Sequence, residues 1–376
     1  MALRECSTLV VVGAAALLGA LGLLLTWRRW AGRGPWALLH RALALLLVQT
    51  VTLLAVGIGL NARFALFDDW SDVVTAFSPA LAGTSGRPAP SAVHGVPATR
   101  PDDPAPQPVA GSDGRVWRVV VPGAVSRTTS SALVVLPLGY RSPATLDRTY
   151  PVIMALHGWP GTEDQWLTAM PLEQDADAAA GAGRLAPSIL VLPDLEVPAG
   201  RDTECIDGAA GDPQLETWLS RDLPDYLGRH FRAAAGPSSW SAMGLSMGGW
   251  CANMLAMLHP DRFGSAVSFA GYYQLDLGDW RPFATRSPAA RRYDLLALER
   301  RDPPPVQLWA TSSSSDELSA PTTTAMAAIV HGPTTMTTVP QPEPGHRLDV
   351  WAGQLPEALD WLGGQVAGFA PTPAAG

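Results

Sequence analysis

Two kinds of apolar pattern divide the chain. Long uncharged runs occupy the first 62 positions, and short apolar runs separated by polar and helical stretches fill the sequence beyond Gly111. Ser7 to Thr26 is a twenty-residue run of mostly Leu, Val, Ala and Gly, and Ala42 to Ala62 is a second run without a charge. Each is long enough to cross a hydrocarbon core of about 30 Å. Both are apolar all round rather than on one face, which disfavours a helical hairpin buried in a soluble protein. Between them lie Trp27, Trp30 and Trp36, whose rings suit the headgroup region, and Arg28, Arg29, Arg33 and Arg41, which mark a cytoplasmic loop. The pattern predicts a two-span membrane anchor over residues 1–70, with everything after residue 63 on the far side of the membrane. A cleaved signal peptide is the rival for the first run, but no small-x-small cleavage site separates it from the second.

From Ser71 to Pro108 the composition shifts to Pro, Ala, Gly, Ser and Asp. Such a stretch buries too little apolar surface to offset its ordering entropy, so residues 71–110 are predicted to be an extended linker. Strand candidates then follow at Val116–Val121, Ala132–Leu136, Val152–Leu156 and Ile189–Leu192, the last two apolar enough to be buried on both faces. Leu215 to Phe231 is a helical stretch, and Trp240 begins a short buried strand that turns into a helix ended by Pro260. Ser265–Phe269, Val306–Ala310 and Met336–Val339 complete the strands, and Leu355–Leu362 is the last helix. Strands alternating with helices predict an α/β domain with a mostly parallel, doubly wound sheet over residues 111–368 and a flexible tail at 369–376. Catalytic loops in such a sheet lie at the carboxyl ends of the strands.

Composition mainly excludes. A net charge of −8 and a pI near 5.3 provide no basic surface for a phosphate backbone, so no nucleic-acid partner is expected. There is no lysine, a bias that fits a GC-rich coding genome and carries no functional weight. The cysteines are Cys6, Cys205 and Cys251, with no C-x-x-C or Cys/His cluster, which argues against structural zinc. Outside the cytoplasm Cys205 and Cys251 are candidates for one disulfide, because both segments are expected near the turn described next; two separate buried thiols are the alternative.

That turn is Gly244-Leu245-Ser246-Met247-Gly248, a G-x-S-x-G elbow between strand and helix. A serine hydroxyl is a poor nucleophile at neutral pH and needs a base and an orienting acid. Downstream, Asp316 and Glu317 follow the strand V-Q-L-W-A, and His346 lies in the loop after the last strand. Ser246, Asp316, His346 is the chain order of α/β-hydrolases. Met247, whose amide begins the following helix, and Trp159, in the loop L-H-G-W-P-G-T, are the expected oxyanion donors. His157 in that loop is expected to bond the backbone, and His230, His259 and His331 to be structural or solvent-facing.

The stretches L-H-G-W, E-T-W-L-S-R-D-L-P, G-L-S-M, H-P-D-R-F, S-D-E-L and H-R-L-D-V-W-A-G-Q-L run in order across residues 111 to 365. In this they resemble the esterase D group of α/β-hydrolases, especially the secreted mycolyltransferases and related membrane-anchored actinobacterial esterases. The resemblance implies an α/β-hydrolase fold and an acyl-enzyme mechanism needing no cofactor or metal, with Ser246 as nucleophile, His346 as base and Asp316 or Glu317 as acid. The mycolyltransferase alignment favours Glu317 and the wider group favours Asp316, which we take as the acid. The Gly-Gly-Trp-Cys that follows Ser246-Met247 departs from the mycolyltransferases, so their donor and acceptor do not carry over. Residues Tyr272 to Pro305 lie where lids and acyl pockets are often inserted. The expectation is an extracytoplasmic, membrane-anchored serine esterase or acyltransferase acting on an acyl ester, such as an envelope lipid or acylated sugar. A non-catalytic envelope protein binding sugar or lipid, and a peptidase on the same fold, are the alternatives. Oligomeric state is not encoded in these patterns.

Overall fold

A computed structural model describes residues 19, 21–22, 35–64, 103–278, 280–284 and 286–371. The first expected span apart from residues 19, 21 and 22, Cys6, the Arg-rich loop up to residue 34, the linker up to residue 102 and the tail from residue 372 lie outside the described residues. The chain separates into two compact units, residues 1–93 with Gly345–Arg347, and residues 94–344 with residues 348–376. In the first unit the second apolar run falls within a helix, α1 (Pro35–Phe64). Its described side chains, Leu39 and residues 42–57, leave Leu43, Leu45, Leu46, Leu47, Leu53, Leu54 and Val56 exposed. Over the described residues, no helix is long and apolar enough to cross a membrane.

The second unit is built on a nine-stranded sheet among the described residues: β1 (Gln107–Pro108), β2 (Val116–Val121), β3 (Ser130–Val135), β4 (Val152–Leu156), β5 (Ile189–Pro193), β6 (Trp240–Leu245), β7 (Ser265–Phe269), β8 (Gln307–Ser312) and β9 (Thr335–Pro340). The order is β1-β2-β3-β5-β4-β6-β7-β8-β9. β1, β2 and β3 pair antiparallel up to β5, and every pairing from β5 through β9 is parallel. β4 and β5 have no exposed residue, as uninterrupted apolar runs require when both faces are covered. Alternation then sorts side chains between two cores. Val152, Met154 and Leu156 face one with Trp250 and Leu255, and Ile153 and Ala155 face the other with Ala176, Leu355 and Leu359.

Helices beside this sheet include α2 (Leu172–Gly181), α3 (Leu223–His230), α4 (Met247–Leu258) and α5 (Leu348–Gln365). The expected helix from Leu215 is present in three parts, with a π-helical turn at Trp218–Asp222 between Leu215–Thr217 and α3. The segment 103–108, which composition assigns to the linker, lies on the sheet unit instead. Gln107–Pro108 pairs with β2, Asp103 bonds Arg229 at 2.6 Å, and the Pro104 carbonyl accepts from Tyr226. Proline tolerates this edge position because its missing N–H costs no interior ladder bond.

Candidate active site

The parallel strands deliver their following loops to one end of the sheet, where sequence places the chemistry. At the end of β6, Ser246 has φ 55° and ψ −117°. A non-glycine residue holds such a backbone only when its surroundings over-determine it, at a cost of about 1–3 kcal/mol. Here they do. The Ser246 N–H donates to the Phe269 carbonyl at 2.8 Å and its carbonyl accepts from Trp250 N–H at 3.0 Å, pinning the turn to β7 and to α4. The two glycines make it possible: a Cβ on Gly244 would lie 1.9 Å from the Gly248 carbonyl oxygen, and one on Gly248 would lie 2.2 Å from that of Leu156. Gly248→Ala is therefore expected to cost about 3 kcal/mol by overpacking, lowering Tm by roughly 6–12 °C; an unchanged Tm in a thermal melt would contradict this geometry.

The loop after β4 packs against the elbow, since a Cβ on Gly158 would meet the Leu245 carbonyl at 3.2 Å and Ser246 Cβ at 3.5 Å. Met247 opens α4, so its N–H has no acceptor in the helix ladder. Trp159 is half-buried against the core next to Gly158. His157 is fully buried; its Nε2 accepts from Leu195 N–H at 3.0 Å, so Nδ1 carries the proton and donates to the Gly158 carbonyl at 2.8 Å. It shapes the loop and bonds the backbone, as the sequence suggests.

At the end of β8, Asp316 is buried while Glu317 is exposed. The Asp316 carboxylate accepts from Leu318 N–H at 3.0 Å and from the Ser319 hydroxyl at 2.7 Å, which fixes its orientation. His346 is placed by chain position, in the loop between β9 and α5. Cys205 and Cys251 are joined by a disulfide.

Other histidines serve structure. His230 stacks on Tyr226 at 4.1 Å, His331 Nδ1 lies 3.1 Å from the Ile329 carbonyl, and His259 Nε2 lies 2.7 Å from Glu216. Sequence reasoning gave Glu216 no role. Burial would raise its carboxyl, but bonds from His259, Arg292 and Tyr293 outweigh that and hold it at about 2. Glu216 thereby fastens the segment between β7 and β8, through Arg292 and Tyr293, to the C-terminal end of α4. That segment holds two short helices, Pro288–Arg292 and Leu295–Arg301, and lines a cavity of about 440 Å³ with Leu275, Leu277, Phe283 and Tyr293.

Comparison with known proteins places this arrangement. The family described as "Putative esterase" matches residues 127–361. An uncharacterised protein of Corynebacterium glutamicum is 29% identical over 168 residues, covering 44% of this chain and 39% of that protein. The diacylglycerol acyltransferase/mycolyltransferase Ag85B of Mycolicibacterium smegmatis is 43% identical over 68 residues, 18% of this chain and 20% of that protein. The chain thus spans well under half the length of these curated relatives. Among solved structures, an S-formylglutathione hydrolase from Agrobacterium tumefaciens superposes with a TM-score of 0.55 at 18% identity, covering 67% of this chain and 96% of that one, which shows an α/β-hydrolase fold.

Proposed function

Because the chain belongs to this esterase family, we propose that it is a serine esterase or acyltransferase working through an acyl-enzyme on Ser246. The observation that carries the reading is the strained Ser246 backbone, held by β7 and α4 in a turn with no room for a side chain at either glycine. In this mechanism Ser246 Oγ attacks an ester carbonyl, His346 takes its proton and returns it to the leaving alcohol, and Asp316 orients the imidazole. The Met247 and Trp159 amides bind the oxyanion. Water or an acceptor alcohol then releases the acyl group.

Burial and the bonds from Leu318 and Ser319 support Asp316 over Glu317, because an orienting acid must itself be held. Asp316→Asn is expected to lower kcat by about 10²- to 10⁴-fold, whereas Glu317→Gln stays within about twofold of wild type. Steady-state hydrolysis of a p-nitrophenyl ester measures both, and the reverse ranking would move the role to Glu317.

The body is read as extracytoplasmic and anchored by the uncharged runs Ser7–Thr26 and Ala42–Ala62. The exposed leucines of α1 support an apolar surrounding, as do the hydroxyls of Thr50 and Thr52, bonded back to the Leu46 and Val48 carbonyls at 2.8 Å. The substrate class is an acyl ester, of an envelope lipid or an acylated sugar. Supplying a labelled acyl ester with and without an acceptor alcohol tests the activity and separates hydrolysis from transfer. No turnover in either arm by folded protein would reject the proposal.

A further inference from the structure

One buried assembly beside the nucleophile turn has no part in the mechanism above. The loop after β5 carries Cys205, whose disulfide to Cys251 spans 5.7 Å between Cα atoms and ties that loop to the second turn of α4. Met247, the residue after Ser246, presses its thioether on both sulfurs, with Sδ 3.4 Å from Cys251 Sγ and 3.9 Å from Cys205 Sγ. All three side chains are at most 4% exposed.

The neighbouring contacts fix the same loop in place. Glu204 and Cys205 both have left-handed backbones, at φ 49° and 55°, which such residues keep only under external constraint. The Glu204 carbonyl accepts from Trp250 Nε1 at 3.0 Å, and its carboxyl group receives the Tyr272 hydroxyl. Trp250 and Tyr272 stack at 5.9 Å with an interplanar angle of 9°. Burial, reinforced by the Asp202 charge, pushes the Glu204 carboxyl well above the usual carboxylate range. The constraint thus reaches the turn from two sides, through Met247 and through Trp250, whose N–H bonds the Ser246 carbonyl.

We propose that the Cys205–Cys251 disulfide is a positioning element for catalysis: through Met247 it sets the amide that receives the oxyanion, so full activity requires the oxidised pair. The proposal rests on the acyl-enzyme reading of Ser246 and Met247. A dithiol reductant delivers two electrons and two protons to the sulfurs and closes to its own disulfide. Two separate thiols need more room than a bonded pair, and the Met247 side chain is the neighbour that must yield. An oxyanion donor acts on the transition state rather than on ground-state binding.

The test is kcat and KM for a p-nitrophenyl ester on the full chain, oxidised, after dithiothreitol and after reoxidation, with near-UV circular dichroism reporting the fold. Reduction is expected to lower kcat at least about tenfold, on the modest side of losing one oxyanion donor, with KM within about twofold, and reoxidation to restore it. A folded, reduced protein with unchanged kcat, or with a change in KM alone, overturns the proposal. Should reduction cost the fold, Met247→Ala in the oxidised protein replaces that arm; kcat is again expected to fall about tenfold at constant KM, and an unchanged kcat overturns the proposal. Oxidised wild type that neither turns over ester nor reacts with a fluorophosphonate fails differently, because it removes the acyl-enzyme reading itself.

Discussion

Ser246→Ala is expected to lower kcat for ester hydrolysis by about 10⁴-fold or more while leaving the protein folded. The substitution removes one oxygen and nothing else. Alanine tolerates φ 55° no better and no worse than serine, and the backbone bonds to Phe269 and Trp250 that hold the turn do not involve the hydroxyl. Tm is thus expected to stay within about 2 °C, since a substitution that breaks no packing or cap changes stability by about 0.5 kcal/mol or less. Residual activity reports the oxyanion amides and binding alone. Steady-state kinetics on the purified variant, paired with a thermal melt, measures both halves. Activity within tenfold of wild type would mean that another group is the nucleophile.

Glu216→Ala is expected to destabilise the fold by about 3 kcal/mol, the low end for breaking a buried ion pair because Arg292 is 50% exposed and keeps its solvation. The loss falls on the joint between the segment linking β7 to β8 and α4, so substrate binding is expected to weaken with stability. The pH dependence has a definite sign. A carboxyl lowered from 4.5 to about 2 binds fewer protons folded than unfolded, so its contribution is fully present above pH 4.5 and is lost as pH falls toward 2. Urea denaturation between pH 2 and pH 7 is expected to show wild type losing its advantage over Glu216→Ala across that window. Parallel curves would place the stabilisation elsewhere.

The sheet was readable because its signal is local. Val116–Val121, Val152–Leu156 and Ser265–Phe269 are strands with the expected bounds, each an apolar run bordered by turn residues. The last helix is less so: the pattern predicts Leu355–Leu362, yet α5 begins at Leu348 and includes Pro356. A proline reads as a helix start, but Pro356 lies inside α5 on its exposed side. The Thr-rich segment that forms Ala320–Ile329 has too weak an apolar face to announce a helix.

At the proposed site, motif and chain order single out Ser246, Asp316 and His346 as candidates, and the structure adds the strained turn and the held carboxylate. Glu204 and Glu216 were not legible. Each looks like a surface acid in sequence, and its partners, Tyr272 for one and His259, Arg292 and Tyr293 for the other, lie 43 to 77 residues away. Only tertiary packing brings those groups into a dry environment where a carboxyl must be neutralised or paired. Cys205 and Cys251 stand between these cases, since their approach followed from where the strands deliver their loops.

Covalent capture reports the central claim most directly. The wild-type protein is incubated with a fluorophosphonate, digested, and the modified residue located by tandem mass spectrometry. A single adduct on the Ser246 peptide, absent from heat-denatured protein and from Ser246→Ala, is the expected result. Folded protein that takes up no phosphonate, or takes it up on another residue, would contradict an acyl-enzyme at Ser246.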